Sequence, residues 1–367
     1  MIRRFNAGTE SNKAARVAAR NVRALDARSP LLPCAVGLLI GAAAILTGAP
    51  KASAQVAVPS IVPYNFVTEN PAAMRWGTPS RVGIAYTQAQ QTTSPATKHD
   101  NFEGYGAGFR LGGEYFALGA EGYHEESTNK PFSNPETQDN SAAGLAVGLW
   151  HWLALGASET TGTQKSVDLT SVGQPLPTLK ITNDESLAGI SIRLGTWLFL
   201  GGASGQQKGK FTDNLPSIPA TVNATLTSDV TKYGVGIRTG GSIVTHLEAY
   251  EIDTSKPNIS GFSSTSALIT QSNLSSSISK QTQQTGVAEI NLGGFLLSYS
   301  TSHFTQDSPQ PTVDQQAAVI GYAPFSGLTV VLRGLQSVTK QHTSTSAISS
   351  TTYNQYAVAL TYLFAAK

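Results

Sequence analysis

The chain of 367 residues is short of cysteine and of charge. Its one cysteine, Cys34, lies within residues 1–54, so the remainder can form neither a disulfide nor a thiolate metal site. Charged residues make up 13% of the chain, about half the share usual in soluble domains. Residues 1–54 hold eight of the 25 basic and two of the 23 acidic residues, which leaves a formal charge of −4 on the rest. This distribution argues against nucleic acid as a partner.

Motifs of catalysis and metal binding are also lacking. The sequence contains no G-x-S-x-G turn, no H-E-x-x-H helix and no phosphate-binding loop. Its six histidines are scattered, and His246 with Glu248 is interpreted as a pair of solvated wall residues rather than as a general base. We therefore predict that the chain is not an enzyme and has no catalytic residue, no metal site and no cofactor.

Beyond residue 54 no apolar run approaches the roughly 20 residues that a membrane-spanning helix needs. Residues 1–54 themselves resemble an export signal: a basic region precedes the apolar stretch "LLPCAVGLLIGAAAILTGAP", and "ASA" ends at Ala54. We predict a cleaved signal peptide over 1–54. The alternative is an uncleaved membrane anchor.

What the rest of the chain has in abundance is alternation, with apolar side chains at every second position. This period sends alternate side chains to opposite faces of a β-strand. The predicted strands cover fourteen segments: 80–91, 102–111, 115–125, 141–150, 152–161, 186–194, 197–207, 231–239, 243–252, 285–292, 295–304, 314–323, 328–339 and 353–364. Joints of two to four residues, several of them Gly-Gly, alternate with connections of about nine to more than thirty residues that are rich in Ser, Thr, Asn and Gln.

The two faces of these segments differ in a way that a soluble sandwich does not allow. In "EGYGAGFRLG", Tyr105, Phe109 and Leu111 share one face, while glycines and Arg110 share the other. Glycine with a charge cannot fill a dry core, but it suits the wall of a wet lumen with the apolar face toward lipid. Lipid forbids an open strand edge. The sequence therefore predicts an all-β fold, a transmembrane antiparallel β-barrel of 14 strands over 80–367, with 12 or 16 strands as the alternatives, in the bacterial outer membrane.

Charged residues recur on the predicted inner face. An arginine stands just before the glycine turn in three hairpins, and acidic residues lie on neighbouring segments. The predicted lumen-facing charges are Arg110, Arg193, Arg238, Arg333, Glu121, Glu248 and Glu289. Two interpretations remain open: these charges pair across strands and brace the barrel, or they set the selectivity of a pore.

The last segment, "YNQYAVALTYLF", places five large apolar side chains on one face. They are Tyr356, Val358, Leu360, Tyr362 and Phe364. This pattern resembles the C-terminal signal by which the assembly machinery recognises outer-membrane proteins, although "AAK" follows here. It implies periplasmic chaperones and the barrel assembly machinery as partners, together with outer-membrane lipid.

Residues 55–79 are rich in proline and lack alternation, so they are predicted to form a short periplasmic or plug segment. Within them, "ENPAAM" contains Asn70, Pro71 and Ala72 directly before the first strand. This tripeptide resembles the Asn-Pro-Ala motif of the FadL-type outer-membrane transporters of long-chain fatty acids and hydrocarbons. The resemblance implies a fourteen-stranded barrel with an N-terminal plug. The plug segment is shorter here than is usual in that family, as is the barrel chain.

The expected function is a channel or transporter that moves small molecules across the outer membrane, hydrophobic compounds such as fatty acids or hydrocarbons above all. A general diffusion porin for small polar solutes is the alternative. A structural or adhesive surface barrel, with the stretch 253–285 as its working part, is an alternative of another class, and a lipid hydrolase ranks last.

Overall fold

The structure of this chain is a computed structural model. It describes residues 70–76, 80–94, 98–113, 115–128, 137–166, 179–215, 220–240, 243–265, 270–272, 275, 279–306, 312–325, 327–342 and 348–364. The predicted signal peptide, 1–54, lies outside the described residues, as does most of the predicted plug segment.

A 3₁₀ helix, Pro71–Trp76, precedes fifteen strands. The strands are β1 (Ser80–Ser94), β2 (Lys98–Gly112), β3 (Phe116–Ser127), β4 (Thr137–Trp150), β5 (Leu153–Ser166), β6 (Leu179–Leu194), β7 (Leu198–Leu215), β8 (Ala220–Arg238), β9 (Ile243–Thr254), β10 (Asn258–Ser264), β11 (Gln281–Leu292), β12 (Phe295–Gln306), β13 (Thr312–Phe325), β14 (Leu328–His342) and β15 (Ile348–Phe364). Among the described residues, no helix has both the length and the apolar character to cross a bilayer.

Fourteen of the strands close into one antiparallel barrel. Each strand from β1 to β9 pairs with the next, β9 pairs with β11, and the order then continues to β15. The ring closes where β15 pairs with β1, from Ser80 opposite Phe364 to Ser94 opposite Ser350. The prediction of a fourteen-stranded antiparallel barrel is confirmed. Closure removes the sheet edges that a lipid-exposed barrel cannot leave unpaired.

One strand was not predicted. β10 lies outside the ring and pairs with β8 from Asn258 opposite Thr227 to Ser264 opposite Val222. It follows β9 along the same edge of β8, after Ser255, Lys256 and Pro257 leave the ladder. The stretch 253–285, named above as the working part of a structural or adhesive barrel, therefore contains a paired strand.

The strands also extend farther than predicted at one end of the barrel. Six joints at the other end are short, and we call that end the turn rim; the opposite end is the loop rim. Toward the loop rim β7 continues to Leu215 and β8 begins at Ala220, so most of the predicted connection between them is strand. The extension of β7 has polar residues on both faces, and the extension of β8 has apolar residues, such as Val222 and Ala224, only on its inner face. Neither extension has the apolar outer face by which the strands were recognised. Only the part of each strand near the turn rim has an apolar outer face.

The outer and inner faces differ as the alternation predicts. Tyr105 and Phe109 of β2 expose 64% and 42% of their surface, whereas Arg110 of the same strand exposes 8%. Outward side chains are large and apolar near the turn rim, while the inner wall is built largely of glycine, alanine, serine and threonine. One buried cluster on that wall joins Ala85, Val331 and Ala359 from three neighbouring strands. The core of this protein is thus the lining of its barrel.

Candidate functional site

The helix Pro71–Trp76, here called the plug helix, packs against the inner wall of β3 to β7. Its first turn is fixed by the residue before it. The Asn70 side-chain oxygen accepts a hydrogen bond from the Ala72 N–H at 3.1 Å, and the Asn70 carbonyl accepts one from Ala73 N–H at 3.0 Å. Pro71 follows at the first helical position, where its missing N–H costs no helical bond. The Asn-Pro-Ala sequence is therefore a local helix start.

Glycines of the wall leave the space that this helix start occupies. A Cβ atom built on Gly156 of β5 would lie 2.4 Å from the Ala72 nitrogen. One on Gly189 of β6 would lie 2.3 Å from the Asn70 side-chain oxygen, and one on Gly201 of β7 would lie 2.6 Å from the Asn70 side-chain nitrogen. These distances are too short for any Cβ. At Gly156 the clash is with the main chain of the turn, and at Gly189 and Gly201 a Cβ would push the Asn70 side chain out of its hydrogen bonds with Ala72 and Ile190.

Three polar contacts hold the plug helix to the wall. The Asn70 side-chain amide donates to the Ile190 carbonyl at 3.1 Å, and the Trp76 indole N–H donates to the Ser191 hydroxyl at 2.9 Å. The Arg110 guanidinium donates to the Met74 carbonyl. The Arg110 bond is buried, where an unpaired group is costly, whereas the Trp76 bond is partly buried and the Asn70 bond is exposed. The helix is thus attached to both β2 and β6.

Apolar packing adds to this attachment. Met74 exposes 1% of its surface and packs on Ala117, Ala142 and Ala146 of β3 and β4. Fully burying a methionine side chain contributes roughly 1.5–3 kcal/mol. The Arg193 guanidinium lies 6.0 Å from the Trp76 ring centre, within the range of a cation–π contact. Arg193, which the sequence assigned to the lumen, is therefore a neighbour of the plug helix.

The other predicted charges are divided between two parts of the inner wall. Arg110 lies beside Arg81 on the next strand, with Glu121 near Arg81. On the opposite wall Glu289 lies across from His246, near Arg238, and the His246 Nε2 atom is 3.0 Å from a Glu248 oxygen. Arg333 lies on β14, opposite Ala357. The structure therefore brings Arg238, Glu248 and Glu289 together and places both Arg110 and Glu121 near Arg81, but it does not bring all seven charges together. Whether these charges brace the barrel or select solutes stays a proposal.

The proposed assembly signal lies on the outer face of β15. Tyr356, Val358, Leu360 and Tyr362 expose between 43% and 53% of their surface. The backbone of Phe364 pairs with Ser80, and its side chain lies outside the described residues. Recognition of this strand by the assembly machinery stays a prediction.

Sequence reasoning missed a polar cluster in the half of the lumen nearer the loop rim. Tyr353 donates to the two Glu125 carboxylate oxygens at 3.2 and 3.1 Å, and the Gln355 amide donates to the Tyr123 hydroxyl at 3.1 Å. A cavity of about 210 Å³ lies beside them. No local signal could have revealed this cluster, because Glu125 and Tyr353 are 228 residues apart and meet only when the barrel closes.

The inner wall also contains an ion pair that was not predicted. The Lys232 ammonium of β8 donates to a Glu185 carboxylate oxygen of β6 at 2.8 Å, across β7. In the described part of the chain, no three His, Cys, Asp or Glu side chains are grouped so as to hold a metal ion. The described lumen thus offers a seated helix, paired charges and one polar cavity.

Neither a protein-family profile nor a curated protein sequence matches this chain. Solved structures do match its fold. The CymD monoaromatic hydrocarbon channel has 10% sequence identity and a TM-score of 0.54, over 85% of this chain and 95% of its own. The toluene transporter TbuX of Ralstonia pickettii has 11% identity and a TM-score of 0.52, over 82% and 93%. A Pseudomonas aeruginosa FadL homologue has 11% identity and a TM-score of 0.51, over 83% and 96%.

These identities are low, so the likeness establishes the fold. The resemblance to FadL-type proteins, inferred from Asn70, Pro71 and Ala72, is confirmed at that level. CymD is described as a channel and TbuX as a transporter, and neither description names an enzyme, in agreement with the prediction for this chain. The chain has the closed-barrel fold of these hydrocarbon channels.

Proposed function

We propose that the chain is an outer-membrane channel for small hydrophobic molecules, fatty acids or hydrocarbons, and that residues 55–79 plug its lumen. The observation that carries the proposal is the seat of the plug helix. Glycines at 156, 189 and 201 leave room for Asn70 and Ala72 inside a barrel whose outer face is apolar. A wall shaped around one short segment favours a gated path over an open pore. The fold likeness to hydrocarbon channels supports the same function.

The location and the partners belong to the same proposal. Outward-facing Val82, Ile84 and Leu360 near the turn rim suit contact with membrane lipid. In this proposal a signal peptide over 1–54 directs export and periplasmic chaperones escort the chain. The barrel assembly machinery then recognises β15 and inserts the barrel.

Removal of the plug tests this function. We expect deletion of residues 55–76 to raise single-channel conductance in planar bilayers, because the inner wall loses its occupant. The same deletion should abolish saturable uptake of labelled oleate and toluene by whole cells that produce the protein. Gly122→Ala, at a β3 position where a Cβ would have no atom closer than 3.9 Å, is the matched control and should change neither value. Unchanged conductance and unchanged uptake in the deletion would refute the plug.

A general diffusion porin for small polar solutes is the second candidate. The polar cavity beside Glu125, Tyr353 and Gln355 favours it, since these groups suit hydrogen-bonding solutes. Liposome swelling separates the two candidates. A porin should admit sugars at rates that fall with sugar size, whereas a plugged hydrophobic channel should admit none.

A further inference from the structure

The polar cavity lies between the plug helix and the loop rim. Its lining comes from β1 to β5 and from β14 and β15. Gln138 and Gln164, near the loop-rim ends of β4 and β5, belong to this lining, whereas Gly148 and Gly156 of the same strands meet residues 70–76. A molecule that entered at the loop rim would therefore meet the cavity before it met the plug helix. The cavity is thus placed to select what reaches the plug.

One side of the cavity is a fixed hydrogen-bond network. Glu125, Tyr123 and Gln355 expose less than 10% of their surface. The Tyr123 hydroxyl donates to Glu125 and lies 2.9 Å from the Thr87 hydroxyl, while the Gln355 amide donates to Tyr123 at 3.1 Å and to Glu125 at 3.3 Å. Because each member holds another, the carboxylate has a defined position at the cavity wall.

Two glutamines on the wall are not part of this network. Gln91 of β1 and Gln138 of β4 line the cavity, and neither side chain forms a hydrogen bond with any other residue that the structure describes. A glutamine amide offers both donors and an acceptor. These two side chains are therefore available to a ligand that carries a hydroxyl group.

The remaining surface of the cavity suits a flat ring. Phe102 and Leu335 are buried to more than 90% and line it, and the Phe102 and Tyr353 rings lie 6.4 Å apart at 55° to each other. Aromatic side chains favour tilted or offset contacts with a further ring. The volume of about 210 Å³ is below the 300–1,000 Å³ common for drug-sized ligands. A single ring fits this surface better than a long acyl chain does.

We propose that this cavity is a selectivity site for monocyclic aromatic compounds that carry a hydroxyl group. The ring packs against Phe102 and Leu335, and the hydroxyl group bonds to the amides of Gln91 and Gln138. A hydrocarbon without the hydroxyl group forms no hydrogen bond with these amides and therefore gains less on binding. The inference rests on the proposed transport function and adds to it a preference for phenols among small hydrophobic substrates.

The pair p-cresol and toluene tests the proposal because the two molecules differ by one hydroxyl group. We would measure binding of each labelled compound to the purified full-length protein in detergent by equilibrium dialysis, against protein-free micelles. We expect p-cresol to bind at least tenfold more tightly than toluene. The double variant Gln91→Leu, Gln138→Leu should lower the affinity for p-cresol about tenfold, the loss of roughly one to two neutral hydrogen bonds, and should leave the affinity for toluene the same or higher.

Gln207→Leu is the matched control. Gln207 faces inward on β7, beside Glu185 and Ser228 on the neighbouring strands and away from the cavity lining. Its replacement should leave both affinities unchanged, and resistance of each variant to sodium dodecyl sulfate should show an intact barrel. Equal binding of p-cresol and toluene by the unmodified protein would overturn the proposal, and so would an equal loss in Gln207→Leu.

The outcome also separates this inference from the function on which it rests. Saturable whole-cell uptake of toluene without preferential binding of p-cresol refutes the selectivity site alone. Failure of saturable uptake for toluene, oleate and p-cresol together refutes the proposed transport function. Preferential binding of p-cresol that disappears in the double variant supports the selectivity site directly.

Discussion

At Gly156 the inner wall passes within van der Waals distance of the plug backbone. The clash partners of an added Cβ there are the Ala72 nitrogen at 2.4 Å and the Pro71 carbonyl carbon at 2.5 Å. Both are main-chain atoms, so no side chain can turn aside to make room. The plug can therefore occupy its position only if residue 156 lacks a Cβ atom, although glycine is otherwise unfavourable in a strand.

We predict that Gly156→Ala displaces the plug helix while the barrel still folds. The added methyl group clashes with the plug backbone, but it removes the conformational freedom that glycine has in the unfolded chain. Single-channel conductance should therefore rise toward the value of the 55–76 deletion, with no loss of resistance to sodium dodecyl sulfate.

The control lies on the same strand. A Cβ on Gly162 would meet only the Asn140 side-chain oxygen, at 2.7 Å, and that side chain can rotate away. Gly162→Ala should leave conductance unchanged. A rise of equal size in both variants would show that the effect is not specific to the plug.

At the scale of single strands, β6 shows how sharply the two faces are separated. Ile190 exposes 44% of its surface on the outer face, whereas Ser191, the next residue, exposes 3% and accepts the Trp76 hydrogen bond inside. A slip of one residue would exchange the two faces of the strand. The register of β6 thus positions the plug contact and the apolar outer surface together.

We predict unequal losses of stability when an apolar residue on the outer face of this strand becomes charged and when a charged residue on the inner face becomes apolar. Ile190→Arg places a charge near the middle of the apolar surface and should lower the free energy of unfolding in vesicles by about 2–4 kcal/mol. Arg193→Leu, on the inner face, removes a contact with Trp76 and should lower it by about 1 kcal/mol or less. Urea titrations monitored by tryptophan fluorescence would measure both values. A larger loss in Arg193→Leu would contradict the assigned register.

The strand segments that the sequence revealed are those with a large apolar outer face. The alternation in "GISIRLG" locates the turn-rim half of β6, whereas "KGKFTDNL" at the loop-rim end of β7 has polar residues on both faces and no period to detect. β10 escaped prediction for the same reason. Of the site, Asn70 and its neighbours were found because they are adjacent in sequence. The Glu125 cluster was not, because ring closure alone brings β15 to β3.

At the scale of the whole molecule, the apolar outer band is short. In the sequence the apolar face of β15 extends from Phe364 to Tyr356, and Asn354 follows as the next outward residue. Eight residue steps span about 27 Å along a strand, or about 21 Å of height at the usual barrel tilt. Outer-membrane barrels commonly have an apolar band of about 25 Å. A bilayer slightly thinner than the usual one therefore matches this barrel.

We predict that the protein folds best in thin bilayers. The protein would be refolded into phosphatidylcholine vesicles whose acyl chains differ in length, and the folded yield would be the fraction resistant to sodium dodecyl sulfate. This yield should fall steeply as the acyl chains lengthen, because longer chains expose the polar outer ring to hydrocarbon.

A variant with a wider apolar band separates this cause from the general ease of insertion into thin membranes. Gln88, Gln336 and Asn354 lie just beyond the band on β1, β14 and β15. Their joint replacement by leucine adds one apolar row on three adjacent strands and should shift the best yield toward longer chains. The same chain-length dependence in both proteins would mean that the band does not set the match to the membrane.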